Sequence, residues 1–309
     1  MIFFYLVIIV LFFLVLGKSA DFVVTHVKKI SKDYKIPIVF SGLILGFFTS
    51  APEFFIGIKS TSLGVNAISY GNLIGGIIVL FGLVAPLQIL LNKGIRIKNV
   101  FSVQELVAIL IFLILPVVFM LNGSIHPLEG SVLFILYFAL INFISLRETA
   151  HQKNFFLDKK HLREFFFIIL GLIAISISSH FIVTVSLRII GAYRLPLFLV
   201  GLTAFSIGTN LPELILTVRS WQKKSKDLAF GNMIGSAITN VLIIAILSIA
   251  RPIKLVMGPS FFILLFFFVF LCILFIVLAV SGKRFTQREG LALLAVYIVF
   301  IITQIFTTY

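Results

Sequence analysis

Acidic residues are scarce in this chain. Eleven Asp and Glu stand against 25 Lys and Arg, and charged side chains of both signs make up only 12% of 309 residues. Cysteine is nearly absent. Cys272 lies alone in an apolar run, which excludes a disulfide within the chain and leaves it as a small lipid- or core-facing residue. No HExxH zinc motif and no GxSxG nucleophile motif occurs, and the apolar runs hold no Ser/His or paired-Asp arrangement, so an intramembrane enzyme is disfavoured. The opening Met1-Ile2-Phe3-Phe4 has no basic stretch and no small-residue cleavage pattern behind it, and reads as a retained membrane helix rather than a signal peptide.

What the chain has instead is apolar length. Hydrophobic residues make up 61% of it, and the mean hydropathy is +1.20. Long continuous runs recur from end to end, the pattern of an all-α polytopic membrane protein and not of a β-barrel, whose strands alternate. Ten spans are expected at about 2–25, 37–58, 68–91, 103–121, 128–146, 165–187, 195–218, 228–249, 259–281 and 290–307. No soluble domain interrupts them. The longest connection suggests a division into two halves, 1–147 and 165–309, joined by a basic segment, 148–164.

The net charge of +14 does not point to nucleic acid, because the basic residues sit between apolar runs. Of the 25 Lys and Arg, 19 fall in or beside connections after odd-numbered spans, counting the central segment. Lys59, Arg188, Arg194, Arg251 and Lys254 fall after even-numbered spans, and Lys18 lies within span one, free to snorkel or to pair with Asp21. Such asymmetry orients a membrane protein with its basic connections in the cytoplasm and both termini outside. The histidines read as bystanders. His26, His151 and His161 are expected in solvated connections, and His180 as a packed or partnered residue of span six. Trp221 reads as an interfacial anchor.

One stretch occurs twice. Thr49-Ser50-Ala51-Pro52-Glu53, followed by Gly71-Asn72-Leu73-Ile74-Gly75, returns as Thr209-Asn210-Leu211-Pro212-Glu213 and Gly231-Asn232-Met233-Ile234-Gly235, 160 residues on. Each copy sets a carboxylate in the middle of a membrane span, a costly place that marks function by default. The copies lie in spans two and seven. Five spans is an odd number, so the copies cross the bilayer in opposite directions: an inverted repeat, as in many secondary transporters.

Each proline withholds a backbone donor, which frees the carbonyls of Phe48 and Gly208 from their usual partners. Thr49 and Glu53 are four apart, as are Thr209 and Glu213, and each pair shares a helix face if the helix persists. Carboxylates, hydroxyls and loosened carbonyls are the hard oxygen donors that Ca²⁺ takes, and Na⁺ suits the same set. Asn232, Ser236 and Asn240 line one face of span eight, whereas the matching Asn72, Gly76 and Leu80 of span three keep one polar residue. Gly71, Gly75, Gly231 and Gly235 would admit close helix approach. Plainer readings exist: the Asn residues as packing contacts, the Thr hydroxyls bonded back to their own helices. For the acids, the motif spans carry no basic residue close to either Glu.

The sequence resembles the sodium/calcium exchangers of the cation/calcium antiporter superfamily. GLTAFSIGTNLPELILTV followed by GNMIGSAITN is similar to that family's repeat, and GLILGFFTSAPEFFIGI with GNLIGG is a weaker match. The resemblance implies ten transmembrane helices in two inverted five-helix repeats around spans two, three, seven and eight. It implies cation roles for Glu53 and Glu213, flanking oxygens from Thr49, Ser50, Thr209 and Asn210, further donors Ser236 and Asn240, and backbone carbonyls at Gly46 and Ser206. Asn72 and Asn232 complete the candidate set from the residue pattern. Gly76, Ile77 and Leu80 depart from it, standing where the family is usually polar. The function so implied is antiport of Ca²⁺ against Na⁺, both as transported substrates and with no cofactor. A cation/H⁺ antiporter is the nearest alternative, and a channel or non-transporting sensor a further one. The expected partners are inorganic cations and the lipid bilayer of a prokaryotic inner membrane, with a monomer as the transport unit.

Overall fold

The structure, a computed structural model, describes residues 2–34, 36–96, 100–145, 159–222, 226–282 and 284–308. Ten helical spans are long and apolar enough to cross a membrane: Phe3–Asp33, Val39–Ser62, Asn66–Leu91, Val103–Asn122, Pro127–Ser145, His161–Tyr193, Leu197–Gln222, Lys226–Ala250, Pro259–Ser281 and Gln287–Thr307. The count and order match the sequence expectation. Residues 148–158 of the basic connection and His151 lie outside the described residues.

Two spans are longer than hydropathy alone suggests. The first helix runs to Asp33 and the sixth begins at Lys159, so Lys28, Lys29, Lys32 and Arg163 ride on helices instead of loops. These two helices pack antiparallel along much of their length and are held together past the apolar runs. His26, in a helix and buried, bonds to buried Glu164, and Lys29 reaches the same carboxylate oxygen at 3.3 Å. One turn further, His161 lies 3.6 Å from Asp33 and accepts from or donates to Tyr34 at 3.4 Å. Neither His26 nor His161 is a solvated loop residue. Polar partners from the neighbouring helix hold both in place. His180 departs the other way: its side chain is exposed on the outer surface of span six, with an edge-on ring contact to Phe181. Asp21 pairs with Arg219 of span seven at 2.5 Å, not with Lys18.

Spans three and eight form the centre. In each, 83% of the most apolar window is buried in protein, against 22% for span one at the periphery. Span two packs on span eight, and span seven on span three. Glycines permit both contacts. A Cβ on Gly42 would meet the Gly231 backbone at 2.7 Å, one on Gly46 would collide with Gly235 and Ser236, and one on Gly75 would meet the Leu202 carbonyl at 2.5 Å. Backbones this close bring main-chain carbonyls into the centre of the bundle.

A small clip closes each end. Strands β1 (Ser124–Ile125) and β2 (Ile253–Lys254) pair antiparallel at one end, where Arg251 also reaches the Thr61 carbonyl and Asn66 that of Pro252. At the other end Ile95 bridges Phe285. Described residues of the second, fourth and eighth connections thus meet at the first end, and those of the third and ninth at the second.

Candidate cation site

Spans two and seven both break at the repeated motif, at one geometry. Span two is two helices, Ile38–Thr49 and Ala51–Ser62, hinged at Ser50 with φ −82° and ψ 6°. Span seven ends one helix, Ser206–Thr209, and begins another, Leu211–Gln222, with Asn210 between them at φ −84° and ψ 11°. The cause is Pro52 and Pro212. Proline is tolerated at the start of a helix, so each opens a new helix there and does not bend an old one. The carbonyls of Phe48 and Gly208 lose their α-helical partners, while the amides of Ser50 and Asn210 donate to the carbonyls of Gly46 and Ser206 at 3.1 and 3.4 Å.

The break corrects one expectation. Thr49 and Glu53 do not share a continuous helix face, nor do Thr209 and Glu213, because the hinge lies inside each pair. The hydroxyls cross to the other repeat. Thr49 meets Ser236 Oγ at 2.9 Å and donates to Asn232 Oδ1 at 3.4 Å, while Thr209 donates to Asn72 Oδ1 at 3.2 Å. Glu213 faces Thr49, and Glu53 faces Thr209. The inverted symmetry thus appears as a cross-brace at the centre of the bundle.

Glu53 and Glu213 now stand in the first turns of new helices. Unpaired amides and the positive end of the helix dipole favour an anion there, and each carboxylate takes a hydrogen bond from its own backbone amide. The two acids lie close enough to repel one another. Both are 1% exposed. No basic side chain answers them among the described residues; Arg219, the basic residue of span seven, is committed to Asp21.

All twelve candidate residues are buried. Ser236 donates to Glu213 Oε1 at 2.9 Å. The Gly46 carbonyl collects the Thr49 and Ser50 hydroxyls at 3.2 and 2.9 Å, with Ser236 Oγ at 3.4 Å. The Ser206 carbonyl accepts Asn210 Nδ2 at 2.8 Å, and Asn240 Nδ2 donates to the Leu73 carbonyl at 3.2 Å. Among the candidate residues, four buried oxygens have no hydrogen-bond partner: Glu53 Oε2, Glu213 Oε2, Asn210 Oδ1 and Asn240 Oδ1. Orphaned acceptors at this depth are costly unless something positive meets them. Among the described residues no three or more His, Cys, Asp and Glu side chains gather to hold a metal. A cation here would take two acids and complete its shell with neutral oxygens.

One polar pair escapes a sequence reading. Gln88 is buried and donates to Thr217 Oγ1 at 3.2 Å and to the Ala229 carbonyl at 3.3 Å, leaving its Oε1 without a partner. Thr217 is one turn past Glu213. The i, i+4 spacing was available as a signal. The approach of span three was not, since it follows a wide π turn, Leu80–Val84, that offsets the helix carrying Gln88.

The chain matches the family model described as sodium/calcium exchanger protein over residues 4–146 and 163–306. CaxA, a candidate antiporter of Alkalimonas amylolytica, is 28% identical over 239 residues, 72% of this chain and 73% of that protein. The sodium/calcium exchanger MaX1 of Methanosarcina acetivorans is 29% identical over 141 residues, 45% of this chain and 40% of its own. In fold, the sodium-calcium exchanger NCX_Mj, solved after soaking in Na⁺ and Sr²⁺, superposes with a TM-score of 0.74 at 22% identity, covering 98% of this chain and 99% of that one. Ten helices, two inverted repeats and a match across both halves place this chain in the sodium/calcium exchanger family.

Proposed function

We propose that the protein is a secondary active antiporter that exchanges Ca²⁺ for Na⁺ at a mid-membrane site built on Glu53 and Glu213. One observation carries this reading: two buried carboxylates on oppositely running half-helices lie close enough to repel one another, with no basic side chain beside them among the described residues and each with an unpartnered oxygen. Ca²⁺ takes roughly 6–8 oxygens, carboxylates among them. Glu53, Glu213, Thr49, Ser50, Thr209, Asn210, Asn72, Asn232, Ser236 and Asn240, with the carbonyls of Gly46 and Ser206, are the groups from which those oxygens would come.

Competition of cations for this one site gives exchange. Closing the chamber around two bare carboxylates buries uncompensated charge, whereas closing it around a neutralising cation does not. The helices therefore rearrange when loaded and stall when empty. Halves 1–147 and 165–309 would move against each other, joined by 148–164, with the basic connections in the cytoplasm and the termini outside a prokaryotic inner membrane. The unit of transport would be a monomer.

A second reading, a cation/H⁺ antiporter, draws on the span-three side of the chamber, where Gly76 offers no oxygen and Ile77 and Leu80 are buried apolar residues. Isotopic calcium flux in proteoliposomes separates the two. Imposed Na⁺, H⁺ and K⁺ gradients are applied one at a time, and the Na⁺ gradient alone is expected to drive calcium. Calcium driven by a pH gradient without sodium would support the second reading. Channel-like leak with no coupling would overturn both.

A further inference from the structure

One turn beyond each carboxylate stands a small or polar residue: Gly57 past Glu53, and Thr217 past Glu213. Their half-helices run in opposite directions, so the two positions lie on opposite sides of the acids. Each is covered by one buried side chain from another span. Gln88 of span three covers Thr217, its Nε2 donating to Thr217 Oγ1 at 3.2 Å and to the Ala229 carbonyl at 3.3 Å. Leu247 of span eight covers Gly57: a Cβ there would lie 2.6 Å from Leu247 Cδ1 and 3.2 Å from Ser69 Oγ.

By the repeat offset of 160 residues Gln88 would match Ser248, not Leu247. The π turn Leu80–Val84 accounts for the mismatch, because it takes one extra residue into span three and moves everything after it by one position. Span eight is one α-helix, Lys226–Ala250, with no such turn. Packing against the outer spans confirms the shift. Gly130 of span five and Gly290 of span ten are also 160 apart. A Cβ on Gly130 would collide with Ser248 Oγ, and one on Gly290 would lie 2.9 Å from Ile89 Cγ2. Ile89 therefore matches Ser248, and Gln88 matches Leu247. Thr217 and Gly57 are mates, as are Ala229 and Ser69. The two covers are one structural element, used twice with inversion.

Their chemistry differs. The Gln88 amide ties spans three, seven and eight together, on the side that leads to the Ile95–Phe285 bridge. The Ala229 carbonyl only accepts, which fixes the amide nitrogen there and leaves Gln88 Oε1 buried without a partner. Leu247, on the side that leads to the β1–β2 clip, offers no polar atom. Ser69 Oγ beside Gly57, and Ser60 Oγ one turn past it, are buried with no hydrogen-bond partner among the described residues. Orphaned oxygens of this kind are costly in a place that stays shut, and water or a passing cation satisfies them when it opens.

We infer that Gln88 and Leu247 are the two gates of the chamber, a polar one on the cytoplasmic side and an aliphatic one on the outer side, each opening its own exit. Leu247 refuses a hydrated ion by offering it no oxygen. Gln88 holds its exit by bridging three spans. The inference rests on the exchange reading above, which supplies a chamber that opens to each side in turn.

Thiol labelling tests it without transport. Cys272→Ala removes the one native cysteine, and Ser236→Cys places a thiol in the chamber, where the native hydroxyl meets Glu213 and Thr49. A membrane-impermeant maleimide is applied to the full-length protein in right-side-out and in inverted membrane vesicles. Adding Gln88→Ala removes two hydrogen bonds and is expected to raise labelling from the cytoplasmic face roughly tenfold, with the outer face unchanged. Adding Leu247→Ala is expected to raise labelling from the outer face alone. A rise from the same face in both variants, from both faces in either, or from neither face, overturns the inference. Should Gln88→Ala not be recovered folded, Gln88→Asn takes its place: one methylene shorter, it keeps the amide but not its reach, and the same sided rise is required. Calcium flux of the unmodified protein reads the exchange proposal separately. Unsided labelling with driven flux sinks the gates alone, and sided labelling without driven flux sinks exchange alone.

Discussion

Glu213→Gln is expected to abolish driven calcium flux, and Glu53→Gln to do the same, in vesicles that hold normal amounts of folded protein. Glutamine keeps the shape and the hydrogen-bonding oxygen of the side chain, so Ser236 and Thr49 retain a partner on the span-seven side. What it removes is one of two charges facing a cation in a dry site. A pair of unit charges 4 Å apart is worth about 4 kcal/mol at the effective dielectric that suits protein sites, which is roughly a thousandfold in affinity. Removing either carboxylate also relieves its repulsion with the other, so both variants should fold at least as stably as the parent. Loss of transport with gain of thermal stability distinguishes a binding role from a structural one. Full flux in either variant would remove that residue from the site.

Gly46→Leu is expected to give no folded protein, and Gly46→Ala to destabilise it by about 3 kcal/mol, at the upper end for overpacking. The Cβ built on Gly46 runs into main-chain atoms of Gly235 and Ser236, which belong to a facing helix and cannot swing aside as a side-chain tip could. Spans two and eight would have to part, carrying the Gly46 carbonyl away from Ser236. Gly191 is the control. A Cβ there meets nothing within 4 Å, so Gly191→Ala should leave stability within about 0.5 kcal/mol of the parent. Thermal unfolding in detergent, followed by size-exclusion profile, reads both. Equal melting temperatures for the two Gly→Ala variants would contradict the close packing of spans two and eight.

The parts of this architecture legible in the sequence are those written in local composition. Ten apolar runs fixed the number of spans, and a carboxylate within such a run marked Glu53 and Glu213 before any packing was known. The repeat offset and the odd number of intervening spans indicated inversion. Relations between distant residues were not legible. Asp21 and Arg219 are 198 positions apart, and nothing in either helix's periodicity names the other. His26 and Glu164 are 138 apart, so a histidine that looks like a loop residue by its basic neighbours is in fact held by a helix from the other half. Local geometry misled once: four-residue spacing suggested that Thr49 and Glu53 share a face, but proline starts a new helix and the hinge at Ser50 separates them. The emptiness of span three at Gly76 looked like a degraded repeat. The amides of Asn210 and Asn240 fill it, which no alignment of one half against the other could show.

The central claim, that two acids from inverted halves share one cation, is tested most directly by crystals soaked in Sr²⁺ and measured at an anomalous wavelength. The account requires a peak lying between Glu53 and Glu213, about 2.3–2.6 Å from an oxygen of each, the range for calcium-like coordination. A well-occupied peak bound to one acid alone, or to neither, would contradict it.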